Sequence, residues 1–403
     1  MKNFDFKRRV LGNGMTIVFE KRDLPVVSVG FAVRCGGANE SMEEKGISHF
    51  IEHMLYKGTE KRSAKKIVSE IEKNGGELNG FTSEEITAFW CKMPSDRLNI
   101  ALDVLSDIVK NSKFDEHELE KERMVIFEEI KMRRDVPQIY VIDEINKYLY
   151  EKPFGPSLIG TEESMNSIDR KKIVDKFKQV YTPNNLILCV VGDANFDDII
   201  DFAQKNFGEE KNEIPEIEIK IRNEDRIEKR HGIDQANLVF AYHVPKADDK
   251  KNYAAIVLSC LMAGGMSSRL FEEIREKRNL AYGIKGEANI NKRFAYNIVY
   301  VGTTKEKMDE VKDLILKEFR KVSESLGEDE LKEVKRQLIG NYHIGMEDSH
   351  DQMVGLFASE IAGDASEFYE FEKNISEVEL EDVKEMAKGV LDKYSFFALV
   401  PEE

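Results

Sequence analysis

The chain has few cysteines, no long apolar run and no excess of positive charge, and each shortage excludes a class of protein. The four cysteines, at 35, 91, 189 and 260, form no C-x-x-C pair. Neither a cysteine-ligated zinc site nor a disulfide framework follows from them, and they read as reduced thiols. No stretch reaches the ~18 consecutive apolar residues of a membrane-crossing helix, so no membrane partner is expected. The N-terminal run Met1–Arg9 is charged and lacks an apolar core, which argues against a secretory leader and leaves a cytoplasmic location as the expectation. Lys and Arg number 60 against 76 Asp and Glu, a formal net charge of −16. Phosphate binding rests on a cationic excess, so no nucleic-acid partner is expected either. With 403 residues, 41% of them hydrophobic and 34% charged, the chain suits two soluble domains better than one.

Histidine is also scarce, with seven in the chain. Two of them stand in His49-Phe50-Ile51-Glu52-His53. On a helix, positions four apart lie a little over one turn from each other, so both imidazoles can reach a single ion. Glu52 is three residues from His49 and shares that face, where a carboxylate can hold a water. H-x-x-E-H is the inverted zincin pattern, and imidazole nitrogen suits zinc. A catalytic site needs a third ligand and an open position. Residues 115–134 read as one charged helix with an apolar stripe, and Glu122 and Glu129 share a face of it, two turns apart. Glu128 lies only about a third of a turn from Glu129, so spacing does not choose between them.

These residues, with Gly46-Ile47-Ser48 before them, Met54-Leu55-Tyr56-Lys57-Gly58-Thr59 after them and Gly75-Gly76-Glu77-Leu78-Asn79-Gly80-Phe81-Thr82-Ser83-Glu84 further on, resemble the pitrilysin family of zinc peptidases. The departure is Gly80, where the family usually has alanine. The resemblance runs through essentially the whole chain. It implies one zinc ion per chain held by His49, His53 and Glu129, with Glu52 as general base and Glu122 supporting catalysis from behind the ligands. It also implies two related α+β domains, each a mostly antiparallel sheet covered by helices, together forming half of a clam-like chamber.

The halves repeat each other. Val26–Val33 matches Asn237–Tyr242, each followed by a helix and a glycine, and Asn185–Val191 matches Ser395–Val400. In this register His49, Glu52 and His53 face Ala255, Leu258 and Ser259, while Glu122 and Glu129 face Val334 and Asn341. The second half keeps the apolar frame and loses every chemical position. The expected division is a zinc-binding domain at 1–212, a charged linker at 213–230 containing Pro215, and a ligand-free, substrate-binding domain at 231–403. Ile217–Ile221 alternates as an edge strand would. Helices are expected on one face of each sheet. Basic strings such as Lys57–Lys66 read as solvated helix faces.

Further positions concern the substrate. Arg275 and Tyr282, seven apart, resemble the family's substrate-binding arginine and tyrosine: a guanidinium can bind a peptide carbonyl, and a phenol can donate to an oxyanion. Leu78–Phe89 reads as a strand near the metal helix, whose edge could take an extended peptide, with Asn79 and Thr82 as candidate contacts. Larger relatives enclose a chamber with four such domains. The expectation is therefore a zinc endopeptidase for small or unfolded peptides, pairing as a homodimer, with Arg275 and Tyr282 of one chain serving the zinc of the other. A processing peptidase of narrow specificity and a non-catalytic partner subunit are the alternatives.

Overall fold

The computed structural model describes residues 4–402; residues 1–3 of the charged N-terminal run, and Glu403, lie outside the described residues. Two compact units divide the chain. The first holds residues up to Ile130, Ser157–Glu218 and Gly345–Phe368, and the second holds Lys131–Pro156, Ile219–Ile344 and the remainder from Tyr369. The division expected at 213–230 follows the chain in order, whereas each compact unit also takes in a piece of the other half. Among the described residues, no helix is long and apolar enough to cross a membrane.

The first unit is built on strands β1 (Asp5–Val10), β2 (Thr16–Lys21), β3 (Val26–Val33), β4 (Glu77–Thr82), β5 (Thr87–Pro94) and β6 (Leu186–Gly192), in the order β1-β2-β6-β3-β5-β4. β2 and β6 run parallel and the other neighbours antiparallel. The second unit has β7 (Asp225–Arg230), β8 (Ala236–His243), β9 (Gly283–Ile290), β10 (Ala295–Thr303) and β11 (Ser395–Pro401), in the order β7-β11-β8-β10-β9. Here β7 and β11 are the parallel pair. Setting β2, β6, β3, β5 and β4 over β7, β11, β8, β10 and β9 makes the two orders the same. The repeat seen in sequence is a repeat of topology.

The first sheet is covered on both faces, not one. Val27, Val29, Phe31 and Val33 join the main apolar core, which includes helix Leu98–Asn111. The alternate residues face helix Ser349–Ala362: Ser28 Oγ lies 2.9 Å from Ser349 Oγ. A Cβ at Gly30 would stand 2.9 Å from Met353 Sδ and Phe357, so the helix sits where only glycine lets it approach. Its far end is fastened by Glu360, whose buried carboxylate accepts from Arg8 (2.7 and 2.9 Å), Arg34 (2.7 Å) and the Ala365 amide (3.1 Å). Burial alone would raise this carboxyl; the two guanidiniums outweigh it and hold it below the ordinary range. The second unit takes in helix Pro137–Glu144, which lies on β8 and β11, and Tyr148, which stacks on Phe397 at 5.3 Å.

Two local expectations change. Leu78–Phe89 is a hairpin rather than one strand, because the polar run Ser83-Glu84-Glu85 turns the chain between β4 and β5. Ile217–Ile221 is not a strand: Ile221 forms an isolated bridge with Tyr150, and the strand of this region is β7, which finds the edge of β11 instead. Among the described residues β4 ends the first sheet, hydrogen-bonded to β5, and helix Ile47–Leu55 packs on both. Phe50, Ile51, Met54 and Leu55 are at most 1% exposed. Each such side chain contributes about 1.5–3 kcal/mol relative to exposure, so the opposite, polar face of this helix is rigidly held.

Candidate metal centre

Helix Ile47–Leu55 has no side-chain cap of its own, because the residue before it is Gly46 at φ 92°. A Cβ there would stand 2.5 Å from Met165 Cε and 2.8 Å from the Ile159 carbonyl. The cap comes from elsewhere. Glu40 accepts from the amides of Gly46 (2.9 Å) and Ser48 (2.8 Å), and a carboxylate at a helix start also suits the helix dipole. Lys45, fully buried, donates to the Gly37 carbonyl at 3.1 Å and stands 3.9 Å from Glu40.

From this fixed start, His49 and His53 project on one face, their ring centroids 4.6 Å apart. Helix Glu116–Asp135 brings Glu129 to them: one Glu129 oxygen lies 3.4 Å from His49 Nε2 and 3.8 Å from His53 Nε2. Ligand atoms from the three residues all lie within 4.8 Å of one another. Donors held about 2.0–2.2 Å from one tetrahedral ion stand ~3.3–3.6 Å apart, and the two distances to Glu129 lie close to that spacing, so the donor set fits zinc. Glu128 is exposed and is not part of the cluster.

Behind the histidines, Glu122 Oε2 is 3.2 Å from His53 Nδ1, and Lys57 Nζ donates to Glu122 Oε1 at 2.7 Å. A carboxylate only accepts, so Nδ1 carries a proton, which leaves Nε2, on the Glu129 side, as the nitrogen available to a ligated ion. Burial works to raise the Glu122 carboxyl, but the hydrogen bonds from His53 and Lys57 win and hold it below the ordinary range. Two residues expected as solvated cations are therefore engaged: Lys57 here, and Arg62, buried against Glu70 and Asp107 at 2.9 Å each and against Asp103.

Glu52 is half-buried beside the cluster without belonging to it. Burial pushes its carboxyl up, partly countered by the Thr82 hydroxyl, which donates to Glu52 Oε2 at 2.6 Å, and by His53. Thr82 thus spends its hydroxyl on Glu52 rather than offering it along the edge of β4. Asn79 is exposed at that edge, its Oδ1 accepting from the Gly80 amide at 2.9 Å. The glycine at 80 also has a local reason: a Cβ there would stand 2.5 Å from the Tyr56 hydroxyl, which is buried and has no hydrogen-bond partner among the described residues.

Arg275 and Tyr282 belong to the second unit. Arg275 is exposed on a single widened helical turn, Phe271–Glu276, with its guanidinium 4.8 Å from the Phe271 ring. Tyr282 is 48% exposed. In helix Asn252–Ala263, the second unit's counterpart of the metal helix, Ala255, Leu258 and Ser259 are buried and offer no ligand set. Asp348, His350 and Asp351 form a second cluster, but Asp348 is already taken by Lys92 at 2.8 Å and by the His350 amide.

Sequence reasoning missed Glu40, Lys45 and Lys57. For Glu40 the one available signal was negative, a helix led by glycine and so in need of a distant acceptor.

Residues 16–162 match the family described as Insulinase (Peptidase family M16), and residues 167–338 the family described as Peptidase M16 inactive domain. The uncharacterized zinc protease YmxG of Bacillus subtilis (strain 168) is 30% identical over 400 residues, covering 98% of each chain. An uncharacterized zinc protease of Rickettsia felis is 30% identical over 357 residues, covering 86% of this chain and 84% of its own. Among solved structures, a protease from Helicobacter pylori matches with a TM-score of 0.90 at 22% identity, covering 99% of this chain and 100% of its own. That last likeness bears on the fold alone.

Proposed function

Because the chain belongs to the insulinase family of peptidases, family M16, we propose that it is a zinc-dependent endopeptidase for small or unfolded peptides. The observation that carries this reading is the convergence of His49, His53 and Glu129 beside a half-buried carboxylate that is not one of them. His49, His53 and Glu129 would hold one zinc ion per chain. When bound, zinc supplies a Lewis acid that lowers the pKa of a water from ~16 towards ~7 and polarises a carbonyl oxygen.

The remaining work falls to the chain's own side chains. Glu52 accepts the proton of the attacking water and passes it to the leaving amine. With Oε2 held by Thr82, Oε1 is the atom free to take that proton. Glu122 keeps His53 in the tautomer whose Nε2 can ligate, and Lys57 keeps Glu122 charged. The open edge of β4, with Asn79 on it, can pair with an extended peptide through backbone hydrogen bonds, which would give broad sequence tolerance. Arg275 would bind a peptide carbonyl, and Tyr282 would donate to the oxyanion.

The direct test is cleavage of a mixed-sequence peptide set with bound metal quantified. Zinc near one per chain is expected, with cleavage lost to a chelator and restored by zinc. No zinc after resupply sinks the metal reading; bound zinc without cleavage moves the chain to a non-catalytic subunit.

Two chains would pair around the peptide, Arg275 and Tyr282 of one serving the zinc site of the other. Mixing a Glu52→Gln chain with one carrying Arg275→Ala and Tyr282→Phe, under conditions that exchange subunits, should restore activity that neither has alone. Verified mixed dimers without recovered activity count against sharing in trans.

A further inference from the structure

Tyr282 has a built seat. Its amide donates to the Gly302 carbonyl at 3.1 Å, at the start of β9 against β10. Its ring covers Gly302 so closely that a Cβ there would fall 2.2–2.5 Å from Tyr282 Cζ, Oη and Cε1. Across the next strand pair, Gly302 faces Asn237 of β8, and Tyr300 lies two residues before Gly302 on the same face. The three side chains are linked in a row. Tyr282 Oη is 3.2 Å from Tyr300 Oη, which is 2.8 Å from Asn237 Oδ1.

The far end of the row fixes its direction. Asn237 Nδ2 donates to the Gln235 carbonyl at 3.3 Å, so Oδ1 is the atom turned to Tyr300. An amide oxygen only accepts, so the single proton of Tyr300 goes to Asn237. Between the two phenols, Tyr282 is therefore the donor and Tyr300 the acceptor. Burial, together with Tyr282, pushes the Tyr300 phenol well above its ordinary range, so it stays protonated and the direction holds.

We propose that Tyr300, oriented by Asn237, is a positioning residue that holds the Tyr282 hydroxyl in place for the peptide backbone. This rests on the reading that Tyr282 contacts substrate. An interaction with developing charge depends on placement to within about half an ångström, and ring packing over Gly302 leaves the hydroxyl proton free to rotate. Tyr300 supplies the missing constraint. When a negatively charged oxygen forms, the Tyr282 proton is shared between it and Tyr300 in a three-centre bond, so the constraint persists as the charge develops. Tyr300 keeps its own bond to Asn237, and no group changes charge.

The test is steady-state kinetics on zinc-loaded wild type, Tyr300→Phe, Tyr282→Phe and the double variant. Tyr300→Phe should lower kcat about fivefold with KM within about twofold, and should cost nothing further in the Tyr282→Phe background. Asn237→Ala, which frees the Tyr300 proton to turn the wrong way, should behave alike and serves if Tyr300→Phe folds poorly. Equal losses in both backgrounds would mark a merely structural role and overturn the proposal. An unchanged or raised kcat in Tyr300→Phe, with Tyr282→Phe impaired, overturns it alone. Full activity in Tyr282→Phe overturns the reading beneath it as well.

Discussion

Glu52→Gln should lose peptide hydrolysis by about 10²–10⁴-fold, the range general acid–base catalysis contributes, while zinc stays bound at wild-type occupancy. The proposed ligand atoms converge from His49, His53 and Glu129, and Glu52 is not among them, so its loss should leave the metal site intact. The substitution is nearly isosteric. Its amide oxygen can still accept from Thr82, and burial, which works against the Glu52 charge, favours a neutral group in that place. What disappears is the capacity of the second oxygen to take a proton. The fold and the helix that carries His49 should be untouched, since both depend on Phe50, Ile51, Met54 and Leu55 beneath and on Glu40 at the helix start. The measurement is kcat on a peptide together with zinc per chain. Wild-type turnover in Glu52→Gln would remove Glu52 from the chemistry, and loss of zinc would make it a ligand instead.

The residues of one helix face were legible from spacing, because four residues on a helix is a distance as well as a count. His49, Glu52 and His53 could be placed together from the sequence for that reason. The third member was not. Glu128 and Glu129 differ by about a third of a turn, and only the tertiary approach of helix Glu116–Asp135 decides which one reaches the histidines. Lys45 and Lys57 were invisible for the same cause, and Glu40 was signalled only by the glycine that leads the helix it caps: their partners are made by packing, and a lone charged residue in a charged chain has no local signature.

In the fold, the repeat of strands could be read because both halves keep the same apolar frame. The cover on the second face of the first sheet could have been read and was not. Val26-Val27-Ser28-Val29-Gly30-Phe31-Ala32-Val33 and Leu186-Ile187-Leu188-Cys189-Val190-Val191 are nearly unbroken apolar runs, the mark of strands buried on both sides. Which segment supplies the cover, Gly345–Phe368, depends on Glu360 meeting Arg8 and Arg34 more than three hundred residues away, and no pattern within the helix announces that.

Glu129→Gln should all but empty the metal site, whereas Glu128→Gln, one position away, should leave zinc affinity unchanged. A neutral amide oxygen is a poor ligand for a divalent ion, and two imidazoles alone do not complete a set of three. Glu128 is exposed and its loss removes no donor from the cluster. Glu122→Gln belongs between them. It leaves all three donors but neutralises the carboxylate that accepts from His53 Nδ1 and holds Lys57 at 2.7 Å, and an outer partner of this kind is worth about 10–100-fold in metal affinity. Zinc affinity, read by competition with a chelator at fixed pH, should therefore rank wild type and Glu128→Gln first, Glu122→Gln about 10–100-fold weaker, and Glu129→Gln weaker again. Thermal denaturation gives an independent check, because an ion that binds only the folded chain raises the melting temperature by an amount that grows with the logarithm of its concentration over its dissociation constant. The zinc-dependent rise should be full in Glu128→Gln, reduced in Glu122→Gln and absent in Glu129→Gln. A full rise in Glu129→Gln, or its loss in Glu128→Gln, would move the third ligand one place along the helix and leave the convergence at Glu129 without a role.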